Sequence, residues 1–155
     1  QISKNTKHTE KIAKAFLNKL KPTKTSATVV GLFGELGTGK TTFTKFIAKE
    51  LKIKRKVNSP TFVIMKKYKL RTSPQALSLS RRGGSFKFLF HLDAYRLKNE
   101  KELLHLGWEE IISNPEHLIF IEWPERVIKI LPKKHHKVHI EHTKEGYRNF
   151  KIKGL

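Results

Sequence analysis

Apolar side chains at Ile12, Phe16 and Leu20 recur every fourth position, and Ala13 and Leu17 fill the same stripe. That spacing predicts an amphipathic helix, because residues four apart share one helical face. Thr9 is the candidate cap at its start, and Pro22 closes it. The apolar, β-branched run Thr28 to Phe33 (TVVGLF) predicts a buried strand. A glycine-punctuated loop follows from Gly34 to Gly39, and helical spacing resumes from Lys40 to Leu51 through Phe43, Phe46 and Ile47. Further strands are predicted over Phe62 to Tyr68, Phe86 to Leu92 and Leu118 to Ile121, with helices over Leu103 to Ile112 and from Pro124 to about Leu131. Phe86, Phe88 and Phe90 fall on one strand face and read as core, not as a base-stacking platform. Lys137 to Glu141 and Asn149 to Ile152 alternate apolar with polar around Glu145-Gly146, which predicts a terminal hairpin with one wet face. Arg71 to Ser85 (RTSPQALSLSRRGGS) carries no acid and reads as a flexible insert.

Strands that alternate with helices indicate an α/β fold with a mostly parallel central sheet and an antiparallel C-terminal edge. A chain of 155 residues fits a single domain over 1–155, and 37% hydrophobic residues suffice for one core but not two. With no cysteine, disulfide scaffolds, thiol nucleophiles and Cys-ligated metals are excluded. No run of about 18 apolar residues offers a membrane span, and the N-terminal QISKNTKHTEKIAKAF is too polar for a signal peptide. The expectation is a soluble, cytosolic protein. Lys plus Arg exceed Asp plus Glu by 33 − 13, a net charge of +20, which favours a polyanionic partner.

Gly34-Glu35-Leu36-Gly37-Thr38-Gly39-Lys40-Thr41 satisfies the pattern G-x-x-x-x-G-K-[ST]. The residue types follow from the chemistry of phosphate. Glycines let backbone N–H groups converge on an anion with no Cβ in the way. A helix starting near Lys40 aims its positive end at the same place. Lys40 would reach the β- and γ-phosphates of ATP, and the Thr41 hydroxyl would bind Mg²⁺. A strand before this loop and a helix after it place it in a P-loop NTPase-like, three-layer fold.

Mg²⁺ also needs a carboxylate. Two apolar strands end in one: FLFHLD at Asp93, the only Asp in the chain, and LIFIE at Glu122. The carboxyl ends of parallel strands line the edge where a P-loop sits, so both acids can face the phosphates. Each acid could instead cap a following helix or meet solvent.

GELGTGKTTF at 34–43, SPTF at 59–62, HLDAYRL at 91–97 and IEWPE at 121–125 resemble, in order and spacing, the TsaE (YjeE) family. That family is the small P-loop ATPase component of the bacterial system that makes threonylcarbamoyladenosine on tRNA. The resemblance spans Thr9 to Arg148. It implies that Gly37, Thr38, Gly39, Lys40, Thr41 and Thr42 hold the nucleotide, and that Thr41 and Glu122 ligate Mg²⁺. It puts Asp93 beside the metal or the attacking water, making Lys40, Asp93 and Glu122 the catalytic groups. Trp123 would contact nucleotide, Ser59-Pro60-Thr61 would sense the γ-phosphate, and Thr9 and Arg148 would lie near the nucleotide. The implied partners are a threonylcarbamoyltransferase subunit, its non-catalytic paralogue and tRNA, touched directly or through them. Two departures stand out: Ala13 where the family often has Gly, and a longer segment between SPTF and HLD.

Other features admit plainer readings. Trp123 could be ordinary packing. From Lys52 to Arg71 there are eight basic residues and no acid, a stripe that could guide tRNA or could be solvated surface, since Lys outnumbers Arg 26 to 7. His135, His136, His139 and His142 lack a strong ligand spacing and read as a surface strand. Arg96 and Arg126 are candidate arginine fingers. Two other functions compete: a small-molecule kinase, for which Arg71 to Arg82 would be the lid, and a nucleic-acid-binding module that uses its P-loop only as a sensor.

Overall fold

The computed structural model describes residues 1–55, 57, 58, 60, 63–70 and 86–155. The proposed 71–85 insert, and Ser59, Thr61 and Phe62 of the SPTF segment, lie outside the described residues. The strands are β1 (Ile2–Ser3), β2 (Thr28–Phe33), β3 (Met65–Lys69), β4 (Phe88–Asp93), β5 (His117–Glu122), β6 (His136–His142) and β7 (Arg148–Lys153). The helices are α1 (Thr6–Lys19), α2 (Lys40–Glu50), α3 (Glu100–His105) and α4 (Trp108–Ser113), with a 3₁₀ helix over Pro124–Ile130. None of them is long and apolar enough to cross a membrane.

The strands form one seven-stranded sheet in the order β1-β7-β6-β2-β5-β4-β3. β2 pairs in parallel with β5 and β6, and β4 pairs in parallel with β5. The outer pairings are antiparallel at both edges: β3 on β4, and β7 between β6 and β1. The antiparallel C-terminal edge therefore has a counterpart on the far side, formed by a strand that begins at Met65.

The apolar residues fall into two clusters, not the one core expected from composition. Side chains alternate across a strand, so each buried strand feeds both faces. Val30, Leu32, Leu89, Leu118 and Phe120 join Phe16, Phe43 and Ile47 of α1 and α2. Val29, Phe90, Leu92, Ile119 and Ile121 join Leu103, Trp108 and Val127 on the other face. The three phenylalanines expected on one strand face are divided as well. Phe90 lies in the second cluster and Phe88 packs against it, but Phe86 precedes β4 and belongs to the first.

Two helix expectations are corrected. Thr9 does not cap α1: the Asn5 side chain does, accepting from the His8 N–H at 3.0 Å, and Thr9 is a buried residue of the second turn. Residues 103–112 do not form one helix. Gly107, at φ 79°, breaks them into α3 and α4, a backbone angle that favours glycine. The break lets Trp108 lie fully buried with its Nε1 donating to the Ile130 carbonyl at 3.1 Å.

His136 turns to the α1 face, where its ring meets Phe16 edge-on at 6.4 Å, and His139 stacks on Phe33 at 4.5 Å. Burial lowers the pKa of both rings. Among the described residues no group of three or more His, Asp or Glu is arranged to hold a metal ion.

Candidate functional site

β2, β4 and β5 run in one direction and end level. Leu32 pairs with Glu122, and Glu122 pairs with Asp93. The loop after β2 must turn back immediately to start α2 on the sheet face. Gly34 makes this possible: its φ is 138°, and a Cβ there would stand 2.2 Å from the Ile140 carbonyl oxygen. Thr38 closes the turn by donating its hydroxyl to the Glu35 carbonyl at 2.8 Å. Gly39 (φ 104°) is the N-cap of α2 and supplies no side-chain cap. The N–H groups of Gly39 to Thr42 consequently have no partner among the described residues. A row of unmet donors at the positive end of a helix is an anion cradle.

Glu122 ends β5 only 3% exposed. Both of its carboxylate oxygens lie within reach of the Thr41 hydroxyl, at 2.8 and 2.9 Å. Its Oε1 also accepts from His91 Nε2 at 2.7 Å. Because the partner is a carboxylate, Nε2 must carry the proton. The His91 ring is wholly buried, and its Nδ1 has no hydrogen-bond partner among the described residues. His91 and Asp93 alternate with Phe90 and Leu92, so with Glu122 they occupy the sheet face covered by α1 and α2.

Asp93 is equally buried, and its Oδ1 accepts the Tyr95 N–H at 3.0 Å. Lys40 donates to the carbonyls of Gly34 (2.5 Å) and Glu35 (2.9 Å), and its ammonium stands 4.0 Å from the centre of the Trp123 ring. Burial pulls the Lys40 pKa below the usual lysine value, while the charges of Glu122, Glu125, Asp93 and Glu35 push it back up. Trp123 adopts φ 57°, so the strand ends at Glu122 and the indole leaves the alternation of β5. This settles the geometric question of whether neighbours 122 and 123 can face one site. The Trp123 ring also meets Tyr95 at 5.1 Å, and Arg126 lies 6.0 Å over Tyr95.

Two cavities flank the loop and share Gly37, Gly39 and Thr42. One, of about 290 Å³, is lined by Lys40, Thr41, Asp93, Tyr95, Glu122 and Trp123. The other, of about 220 Å³, is lined by Thr9, Thr38, Arg148 and Phe150, with the segment from Ser3 to Thr6. The structure thus brings the expected residues to the two sides of one loop, including Thr9 and Arg148, which lie far apart in sequence.

Sequence reasoning gave no role to His91 or Tyr95, although both lie within HLDAYRL. The available signal was a histidine two residues before an acid on an otherwise apolar strand, a spacing that puts both on one face.

The oxygen donors suit a magnesium ion that arrives with a nucleotide. Thr41 and Glu122 offer a hydroxyl and a carboxylate in mutual contact, and Mg²⁺ usually takes one or two protein carboxylates with phosphate and water completing the shell.

The family profile described as "Threonylcarbamoyl adenosine biosynthesis protein TsaE" matches residues 3–150. The chain belongs to the TsaE family. It is 34% identical over 144 residues to the tRNA threonylcarbamoyladenosine biosynthesis protein TsaE of Bacillus subtilis, covering 93% of this chain and 78% of that one. It is 32% identical over 148 residues to the protein of the same name from Rickettsia felis, covering 95% and 75%. The crystal structure of Bacillus subtilis YdiB superposes with a TM-score of 0.72 at 28% identity, covering 98% of this chain and 82% of that one. TsaE membership places the chain in the biosynthesis of threonylcarbamoyladenosine on tRNA.

Proposed function

We propose that this TsaE chain binds ATP with Mg²⁺ and hydrolyses it slowly to drive tRNA threonylcarbamoylation. The observation that carries the reading is the Thr41–Glu122 contact beneath the bare N-terminus of α2. A hydroxyl, a buried carboxylate and a row of unmet N–H donors meet at one point. The hydroxyl and the carboxylate hold each other in place, and the N–H donors beside them are left for an anion to use.

The N–H groups of Gly39 to Thr42 cradle phosphate oxygens. Lys40 leaves the carbonyls of Gly34 and Glu35 and turns its ammonium to the terminal phosphates. Thr41 and Glu122 would hold the magnesium, which would supply neutralisation of charge on the phosphate oxygens. Asp93 orients the attacking water. The 220 Å³ cavity, with Thr9 and Arg148, takes the nucleoside side of the ligand. Trp123 packs beside the phosphates in place of its present contact with Lys40.

Binding and hydrolysis switch this edge between two arrangements and so reset a partner complex. The partners are a threonylcarbamoyltransferase subunit and its non-catalytic paralogue. Neither Arg96 nor Arg126 lines the 290 Å³ cavity, which leaves room for a partner to stimulate turnover.

The test is phosphate release by the purified chain, with and without the partner pair and tRNA, and with and without Mg²⁺. Slow Mg²⁺-dependent release, raised by the partners and lost in Lys40→Ala, is the expected result. A Lys40→Ala protein that turns over like its parent removes the assignment. Label transferred to a small acceptor, without free phosphate, would replace it with a kinase.

A further inference from the structure

Two buried histidines stand on the central strands, and they are held differently. His117 opens β5, with its Nδ1 donating to the Ile111 carbonyl at 2.9 Å and its ring against Phe88 and Phe90 at 5.7 and 4.6 Å. That is how a histidine serves a core: one nitrogen meets backbone and the ring packs on apolar neighbours. His91 has no exposed surface, and its ring makes a single hydrogen bond among the described residues, from Nε2 to Glu122 Oε1 at 2.7 Å. Its Nδ1 meets nothing there. A buried polar atom left unpaired is destabilising, and an apolar side chain such as Leu89 or Leu92 of the same strand would avoid it. Packing alone therefore does not account for a histidine at this position.

Strand register explains what the ring reaches. Asp93 stands opposite Glu122, and Phe120 stands opposite His91. The residue level with Glu122 is thus another acid, which offers no N–H to hold it. His91 lies one step back on the same face, and its imidazole spans the diagonal to the carboxylate. Oε1 meets both His91 and the Thr41 hydroxyl, whereas Oε2 meets Thr41 alone among the described residues, at 2.9 Å. His91 lines neither of the two cavities beside the loop, so whatever it does for a ligand passes through Glu122.

We propose that His91 is a positioning residue of the nucleotide site. Its Nε2–H fixes Glu122 Oε1, so that Oε2 stays with the Thr41 hydroxyl where the magnesium of a nucleotide would be held. A free carboxylate turns about its last bond, and a second hydrogen bond that stops this raises its worth as a metal ligand. The unpaired Nδ1 is the cost of placing a donor there. The proposal deepens the magnesium–ATP reading and rests on it.

The test is isothermal titration of the full chain with adenylyl imidodiphosphate, in chelator and across a magnesium series, with the ligand-free thermal midpoint as the check on folding. His91→Leu removes the donor and should lower magnesium affinity in the nucleotide complex about 10- to 100-fold. Its nucleotide affinity in chelator should stay within about twofold of the parent, because the cradle at the start of α2 is untouched. His91→Gln carries an amide N–H near the position of Nε2 and should recover magnesium affinity to within about threefold of the parent. His91→Asn keeps an amide but is too short to reach Glu122, and it should fall with His91→Leu. The two amide variants decide the matter if His91→Leu does not fold. Parental magnesium affinity in His91→Leu, or a His91→Gln that falls as far as His91→Asn, overturns the positioning role and leaves the magnesium site standing. So does a loss in chelator as large as the loss with magnesium, which would make His91 a residue of the fold alone. A parent whose nucleotide binding is indifferent to magnesium removes the magnesium–ATP reading, and the positioning role falls with it.

Discussion

Strands β4 and β5 lie side by side, end level and each finish in a buried acid, yet the two acids are held differently. Glu122 contacts Thr41 at the start of α2 and His91 on the neighbouring strand. Asp93 instead accepts the N–H of Tyr95, two residues further along its own chain. Glu122 thus ties the sheet to the phosphate-binding loop, whereas Asp93 also shapes the turn that carries Tyr95 over the cavity. Position at a strand end does not by itself assign a carboxylate its task. What distinguishes the two is that Glu122 meets the Thr41 hydroxyl of another element, while Asp93 holds the turn of its own chain.

The sharpest way to break this comparison is to neutralise each acid without changing its shape. Glu122→Gln keeps the side-chain volume and should lose the Mg²⁺ dependence of nucleotide binding. Turnover should fall about 100-fold or more, because metal stabilisation of phosphoryl charge is worth several kcal/mol. Isothermal titration with and without Mg²⁺ and a phosphate-release assay give both readouts. Equal magnesium dependence in Glu122→Gln and the parent would remove Glu122 from the metal.

His91→Asn should come next. Residues that orient a metal ligand typically contribute 10- to 100-fold in metal affinity, so magnesium affinity in the nucleotide complex should fall by roughly that range. An unchanged affinity would reduce the His91–Glu122 contact to packing.

Asp93→Asn should separate the two strand ends. Its side-chain carbonyl can still accept the Tyr95 N–H, so the turn survives while the charge is lost. Magnesium affinity should stay within a few-fold and turnover should drop by roughly 10-fold or more, as for loss of a group that orients the attacking water. If Asp93→Asn loses magnesium as fully as Glu122→Gln, the acids share one role and the contrast disappears.

The smallest effect lies on β6, two strands away from Glu122. His136 has its pKa lowered by burial, so its folded form resists a proton that the unfolded chain accepts near pH 6.5. Stability should be flat above that value and fall as pH drops through it. Thermal midpoints at about pH 7.5 and about pH 5 measure the fall, and His136→Gln should make it shallower. A parent and variant with the same pH slope would show that His136 contributes nothing to it.

Local order was easiest to read where one interaction dominated. TVVGLF becomes β2 over the same residues, because an apolar β-branched run between a polar segment and a glycine loop has few alternatives. The helix after Gly39 is as clear, and it starts at Lys40. Reading failed where local signals competed. Asn5 and Thr9 are both capping residues, and pairing of β1 with β7 settles which one precedes the helix. Gly107 looked tolerable within a helix, but the burial of Trp108 favours a break there. Phe86 shares parity with Phe88 and Phe90, but β4 starts only at Phe88, so the alternation does not extend back to it.

The candidate site divides the same way. The phosphate loop and the two acids were legible because each lies within a contiguous motif. The link from His91 through Glu122 to Thr41 was not, since it joins three elements and depends on strand register.

What this amino-acid order determined alone is a chain of local commitments: a phosphate-binding loop, the family to which it belongs, strands ending in acids and a strong positive charge. These follow from backbone preferences and side-chain chemistry over a few residues. The fold decided which of those groups touch. It placed Glu122 against Thr41 and divided the apolar residues between two sheet faces. Contact between distant residues is fixed by sheet order and register, and those arise only when the whole core closes.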